Sequence, residues 1–169
     1  NLKDPTSAQD AATKIYVDGK VSAVHGYGQI EISDFDFAST FGTPMPLNSF
    51  KYQNDPNGIL SVNTSTDSVT MSEGVWIVRL NMRMGRTSGG TTNTSGNLKL
   101  QTTDAATNYG TKTVHHLTGG HTNAGKTFCF EWLVDASSSA KEVEILTDNT
   151  SQGVEVYHDG TEFIFQQLQ

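Results

Sequence analysis

Positive charge is scarce in this chain. Eleven Lys and Arg stand against eighteen Asp and Glu, the formal charge is -7, and the basic residues form no cluster. Phosphate backbones are bound by clustered Lys and Arg, so nucleic acid is excluded as a partner. Cysteine is scarcer still: the single Cys129 allows no intrachain disulfide. It sits in the apolar run Phe128-Cys129-Phe130, where a buried or interface thiol is expected and a reactive one is not. The lack of disulfides points to folding in a reducing cytosol. No apolar run approaches the roughly 18 residues of a membrane-spanning helix, and no secretory leader opens the chain, so membrane insertion is not expected. The start at Asn1, with no initiating Met, reads as the C-terminal portion of a longer protein.

Catalytic patterns are missing as well. There is no G-x-S-x-G motif and no cysteine in a histidine context. The carboxylates available for glycoside cleavage are Glu31, Asp34, Asp36, Glu131, Glu142 and Glu144, and they alternate with apolar residues as exposed strand faces do. The chain therefore reads as non-enzymatic. His115, His116 and His121 form the one histidine cluster, but adjacent residues on a strand point to opposite faces, so His115 and His116 cannot share a metal within one chain. Asp104, Asp148 and Asp159 read as turn formers rather than calcium ligands, because no dense acidic loop accompanies them. The expectation is no metal and no cofactor; the alternatives are one histidine from each of three copies meeting around a symmetry axis, and calcium on the acidic loops. The Asn-Thr-Ser triplets at Asn63, Asn93 and Asn149 are what chance gives in a chain this rich in those residues.

What the chain has instead is hydroxyl and amide: 22 Thr, 15 Ser and 11 Asn, with only 17% charged residues. Such side chains suit exposed strand faces and turns, which makes all-β the expected class. Periodicity agrees from about residue 27 onward. Ile30 and Ile32, then Phe35 and Phe37, alternate on each side of a phase slip at Ser33-Asp34, as in a bulged strand. Over 74-85, Trp76, Val78, Leu80, Met82 and Met84 share one face, while Arg79, Asn81 and Arg83 share the other. Leu98 and Leu100, then 112-118, 127-134, 141-147, 153-157 and 162-168 complete a series of short strands with turn signals between them, the pattern of a sandwich. In the last of these, Phe163 and Phe165 fall on one face and Ile164 and Leu168 on the other. A strand apolar on both faces lies centrally in the sandwich or against another subunit.

Residues 1-26 are different. Asp4 suits an N-cap and Pro5 the first helical position, Ala8, Gln9, Ala11, Ala12 and Lys14 favour helix, and Asp18-Gly19 suits its end. Ala8, Ala12, Ile15, Val17, Val21 and Val24 mix steps of three and four, which fits a brief coiled-coil seam with a phase change near Gly19. An ordinary helix capping the head domain is the other reading of these residues. The string Asp4-Pro5-Thr6, Ala8-Gln9-Asp10-Ala11-Ala12-Thr13-Lys14, Tyr16-Val17-Asp18 resembles a segment that recurs in bacteriophage tail-fibre and virion-fibre proteins just before a new module. That resemblance implies a helical stalk over 1-26, a head over 27-169, and a chain that is one part of an adhesion device.

A second resemblance covers about 29-169. The stretch Val62 to Trp76, with Ser72-Glu73-Gly74-Val75-Trp76 leading into the long strand, is similar to the turn and strand of the tumour-necrosis-factor and complement globular-head superfamily. Gly153-Val154-Glu155-Val156-Tyr157 followed by Thr161-Glu162-Phe163-Ile164-Phe165 resembles that family's final hairpin and closing strand, without its glycine near Phe165. The likeness implies an antiparallel jelly-roll sandwich and a homotrimer around a threefold axis.

Together the two resemblances imply a virion fibre head, assembled in the host cytoplasm, that attaches to a bacterial surface glycan or protein receptor. A trimerisation or capping domain of a capsid or tail appendage without receptor binding is the alternative. Loops of an antiparallel sandwich alternate between its ends, so if 74-85 runs away from the stalk, 86-97, 119-126 and 148-152 are distal. The candidate receptor contacts are Arg86, Thr87, Thr92 and Asn93, then His121 and Asn123, then Tyr157 and His158 at the tip of the last hairpin. Short polar side chains with a cation and an aromatic suit sugar hydroxyls or a protein epitope.

Overall fold

The computed structural model describes residues 26-33, 35-36, 42-55, 58-86, 94-116, 126-147 and 154-168, with the backbone alone at 35-36, 85-86, 94-96, 114-116, 126 and 154-159. The helical stalk expected over 1-26 lies outside the described residues, apart from Gly26. The described residues form eleven strands: β1 (Tyr27–Ile32), β2 (Phe35–Asp36), β3 (Leu47–Asn54), β4 (Leu60–Asn63), β5 (Ser68–Met71), β6 (Val75–Arg86), β7 (Thr94–Thr102), β8 (Asn108–His116), β9 (Lys126–Asp135), β10 (Lys141–Thr147) and β11 (Val154–Gln167).

The pairing is nested. β7 and β8 form a hairpin; β6 pairs with β9, β5 with β10, and β1 with β11, all antiparallel. Successive pairs of this folded ribbon fall alternately in two sheets, ordered β3-β1-β11-β6-β9 with β2 beside β11, and β4-β5-β10-β7-β8. A ribbon of nested antiparallel pairs wrapped into two facing sheets is a jelly roll. The expected all-β antiparallel sandwich is therefore what forms.

Alternation builds its core. β6 buries Trp76, Val78, Leu80, Met82 and Met84 on one face, as its period requires. They meet Val69, Met71, Leu98, Leu100, Val143 and Ile145 from the other sheet in one cluster. Phe163 and Phe165 of β11 are fully buried with ring centroids 4.4 Å apart, edge to face. At roughly 1.5–3 kcal/mol for each fully buried large apolar side chain, this cluster dominates the favourable side of folding. The two indoles keep their polar atoms satisfied: Trp76 donates to the Ser72 carbonyl at 3.1 Å and Trp132 to the Gly110 carbonyl at 2.9 Å. Gly26 and Gly28 are required by packing, since a Cβ on Gly26 would lie 2.6 Å from Ile59 and one on Gly28 would strike Leu60.

Several expectations are corrected. The last hairpin, 153-157 turning into 162-168, is one strand, β11. Tyr157 stands opposite Arg83 and Glu162 opposite Asn81, so 158-161 is a bulge facing Met82 alone. Gly160 supplies the left-handed conformation there (φ 86°). The Thr161 hydroxyl accepts the Arg83 N–H at 2.9 Å, replacing a ladder bond. The strand expected at 112-118 begins earlier, at Asn108, because the turn before it is held tightly by Thr102 N–H to the Thr107 carbonyl (2.9 Å) and Ala105 N–H to the Thr102 carbonyl (2.8 Å). β3, β4 and β5 were not anticipated as strands. Of the buried or interface thiol expected at Cys129, the buried alternative does not hold: Cys129 is exposed in the single chain, because Phe128 and Phe130 take the inward positions of β9.

Candidate functional site

Strand registers decide which chain segments share an end. Val154 is opposite Arg86, Lys126 opposite Met84, Thr94 opposite His116, and Leu98 opposite Thr147. The strand ends flanking 87-93, 117-125 and 148-153 therefore lie together at the end of the sandwich away from Gly26. At the opposite end, Gly74 and Ala136 exchange two backbone hydrogen bonds, and Gln167 N–H donates to the Gly26 carbonyl at 2.9 Å. The Gln167 side chain completes that end: its Oε1 accepts the Gly26 N–H and its Nε2 donates to the Glu73 carbonyl. The chain thus enters and leaves the head at one end.

Of the candidate receptor contacts, Arg86 is the last residue of β6, at the far end. Thr87, Thr92, Asn93, His121 and Asn123 lie outside the described residues. Tyr157 and His158 are within β11 and its bulge, not at a hairpin tip. Without a reversal at 158-161, β11 runs from the far end back to Gly26. His115 and His116 close β8 at the same far end, opposite Ser95 and Thr94.

At the near end, the turn before β8 and the one before β10 border a cavity of about 370 Å³ that includes Asp104, Ser139, Lys141 and Glu142. Asp104 accepts the Thr102 hydroxyl at 2.6 Å and the Ala106 N–H at 3.0 Å, which hold its carboxyl below the ordinary value. Asp135 is lowered in the same way by the hydroxyl and N–H of Ser137. In each aspartate one carboxylate oxygen, Oδ1, accepts both bonds of its own turn.

The chain's least finished surface is the outer face of the larger sheet. Registers across β1, β11, β6 and β9 line up Tyr27, Gln166, Ile77 and Leu133 in one row. Tyr52, Gln29, Ile164, Arg79 and Glu131 form the next, with β3 included. Leu133 is 62% exposed and Tyr52 56%. Tyr27 and Tyr52 lie with ring centroids 5.7 Å apart, and Arg79 meets Glu131 at 2.6 Å, which raises the Arg79 pKa. Sequence reading found the polar members of this face, Arg79, Asn81 and Arg83, and passed over Ile77 and Leu133. Their apolar character at outward positions was the available signal.

The flank where β8 and β9 end the two sheets is aromatic. Phe128 and Phe130 are only half-buried, their rings nearly parallel with centroids 6.3 Å apart, and Lys112 Nζ lies 5.9 Å from the centre of the Trp132 ring.

No protein-family model matches the sequence, and neither does any curated protein. Among solved structures, the chain is similar to Eiger TNF from S. frugiperda, with a TM-score of 0.55 and 9% identity over 85% of this chain and 92% of that one. At that identity the likeness speaks for the fold alone: the head is an antiparallel sandwich with the jelly-roll architecture of the tumour-necrosis-factor type.

Proposed function

We propose that this chain is the non-enzymatic head of a homotrimeric phage virion fibre, and that it attaches to a glycan or protein receptor on a bacterial surface. The observation that carries the reading is the apolar outer face around Tyr27, Tyr52, Ile77, Leu133 and Ile164. An antiparallel sheet with one solvated face ordinarily turns polar residues outward, and contiguous apolar patches on soluble proteins mark interaction sites. A cyclic trimer joins two different patches of each protomer. The half-buried Phe128 and Phe130 on the β8/β9 flank supply a second patch to complement the first. The N-terminal string at 4-18, with its likeness to fibre proteins, supports placing the trimer on a stalk. The chain enters at Gly26, which leaves the opposite end, with Arg86 and the strand ends that flank 87-93 and 117-125, directed away from it. Three copies of a weak receptor site gain by avidity.

The test is staining of host cells by the fluorescently labelled full chain, compared with a variant in which 86-97 and 121-123 are replaced together. Attachment predicts staining that the variant loses. A trimer that stains no cells would favour the capping role, and undiminished staining by the variant would move the receptor site off the distal end.

A further inference from the structure

Four register breaks occur among the paired strands, and three of them converge on one place. β3 slips against β1 between Gln29 and Ile30 and again between Ile30 and Ile32, and β11 slips against β6 at 158-161. Between these breaks, on the outer side of the larger sheet, lies a cavity of about 210 Å³ lined by Glu31, Asn48, Lys51, Gly160, Thr161 and Glu162 among others. Bulges re-aim side chains and concentrate next to functional sites. Here the slips in β3 bring Asn48 and Lys51 to the same cavity as Glu31, and the bulge in β11 contributes Gly160, where a Cβ would press on Arg83 at 3.3 Å.

The chemistry of the lining is unusual for a bare surface. Glu31 and Glu162 stand directly opposite each other on paired strands, an arrangement of like charges that destabilises a sheet. Neither carboxylate has a hydrogen-bond or ion-pair partner among the described residues. Lys51 is likewise unpaired there, while Asn48 keeps its amide N–H groups available, since only its Oδ1 is engaged, by the Ser33 hydroxyl. Two acceptor-only groups, an ammonium and an amide donor therefore meet in a volume below the 300 Å³ or so at which drug-sized ligands begin. The cavity lies beyond the apolar rows of the face, toward the distal end.

We propose that this cavity binds one sugar ring, with Glu31 and Glu162 accepting from neighbouring hydroxyls and Lys51 and Asn48 donating to ring or hydroxyl oxygens. Within the lining two carboxylates outnumber the one ammonium, with Arg83 behind the Gly160 wall. Neutral and amino-substituted sugars fit it, and a uronic acid does not. This site is separate from the distal loops and goes beyond the attachment reading.

The test is titration of the full chain with the methyl glycosides of glucose, galactose, glucosamine and glucuronic acid, and with calcium chloride alone, read by calorimetry and ligand-observed saturation transfer. At least one neutral or amino sugar is expected to bind, with affinity falling by about tenfold or more in Glu31→Gln/Glu162→Gln, as loss of charge-assisted hydrogen bonds implies. The same variant should unfold at an equal or higher temperature without ligand, because the repulsion is gone; this separates lost binding from lost folding. Lys51→Met should weaken binding by a smaller factor. Binding of none of the sugars, equal binding by the double variant, preference for the glucuronide, or a response to calcium alone would each overturn the proposal. No cells enter this assay, so a failure of host attachment leaves its result intact.

Discussion

The two sheets of the sandwich are alike inside and unlike outside. On the smaller sheet the outward positions are mostly polar, Ser61, Thr70, Lys99, Gln101, Thr111, Glu142 and Glu144 beside Leu146, and some of them are tied by hydrogen bonds. Ser68 donates to Glu142 at 2.5 Å, Gln101 to Glu144 at 2.8 Å, and Thr113 to Asn97 at 2.9 Å. On the larger sheet the corresponding positions carry Tyr27, Tyr52, Ile77, Leu133 and Ile164 beside Gln29 and Gln166, and an ion pair joins Arg79 to Glu131. Period-two alternation turns one set of residues inward in both sheets, so it constrains the core and leaves the outer faces open to other demands. The smaller sheet carries polar side chains outward, three pairs of them hydrogen-bonded. The larger sheet offers apolar area that solvent does not reward, and the proposed trimer is what gives that area a partner.

The comparison breaks most visibly at Leu133. With its side chain 62% exposed, Leu133→Glu leaves the fold of the single chain intact. In a trimer it forfeits about 2 kcal/mol of burial per protomer and adds a charge to be desolvated. The wild-type thermal midpoint should rise with chain concentration, as coupled assembly requires, and that of Leu133→Glu should be lower and independent of concentration.

On the smaller sheet the sensitive pair is buried rather than exposed. Gln101 and Glu144 are 5% and 9% exposed, so Gln101→Leu strands a nearly buried carboxylate without its donor at a cost of about 1–3 kcal/mol. Urea denaturation should show that loss with no change in solution mass, whereas Leu133→Glu should change the mass.

Acid supplies a smaller effect at the near end. The carboxyls of Asp104 and Asp135 are held below their ordinary value of 3.8 by turn hydroxyls and N–H groups. A carboxyl depressed in the folded state adds stability above its unfolded pKa, and this is lost as pH falls through the lower folded value. Asp104→Asn/Asp135→Asn should therefore flatten the loss of stability between pH 7 and pH 3, read from urea midpoints at the two pH values. Both groups are exposed, so the difference should be slight. Smallest of all is Arg79→Gln added to Leu133→Glu: in the single chain that variant supplies, the ion pair is exposed and contributes about 0–1 kcal/mol, and the denaturation midpoint should barely move.

Much of this architecture was legible in the sequence where strands are long and half-buried. The 74-85, 127-134 and 141-147 patterns match β6, β9 and β10 because each must turn alternate apolar residues into one core. The same logic fails where the period is broken or short. β3 carries apolar Leu47 and Phe50 at a spacing that two slips distort, and β4 and β5 are four residues each with Ser, Thr and Asn among them. In β11 the string His158-Asp159-Gly160-Thr161 has turn composition and is a bulge, since its strand keeps pairing with β6 on both sides of it. Cys129 shows the opposite case. Its outward position follows from the inward Phe128 and Phe130, but local hydrophobicity outweighed phase in reading it. The cavity at Glu31 and Glu162 could not be read from sequence at all, because its walls come from segments 130 residues apart that only the β1/β11 register brings together.

The central claim is that the two apolar rows of the larger sheet's outer face, those of Leu133 and Ile164, are buried against copies of the same chain, while the cavity at Glu31 and Glu162 beyond them stays open. The most direct measurement is the solution mass of the full chain by light scattering, alongside Leu133→Glu. The account predicts three times the 18.3 kDa of one chain for the wild type and a shift toward one chain for the variant. A wild-type mass of a single chain would contradict it, as would a trimer that the variant leaves unchanged.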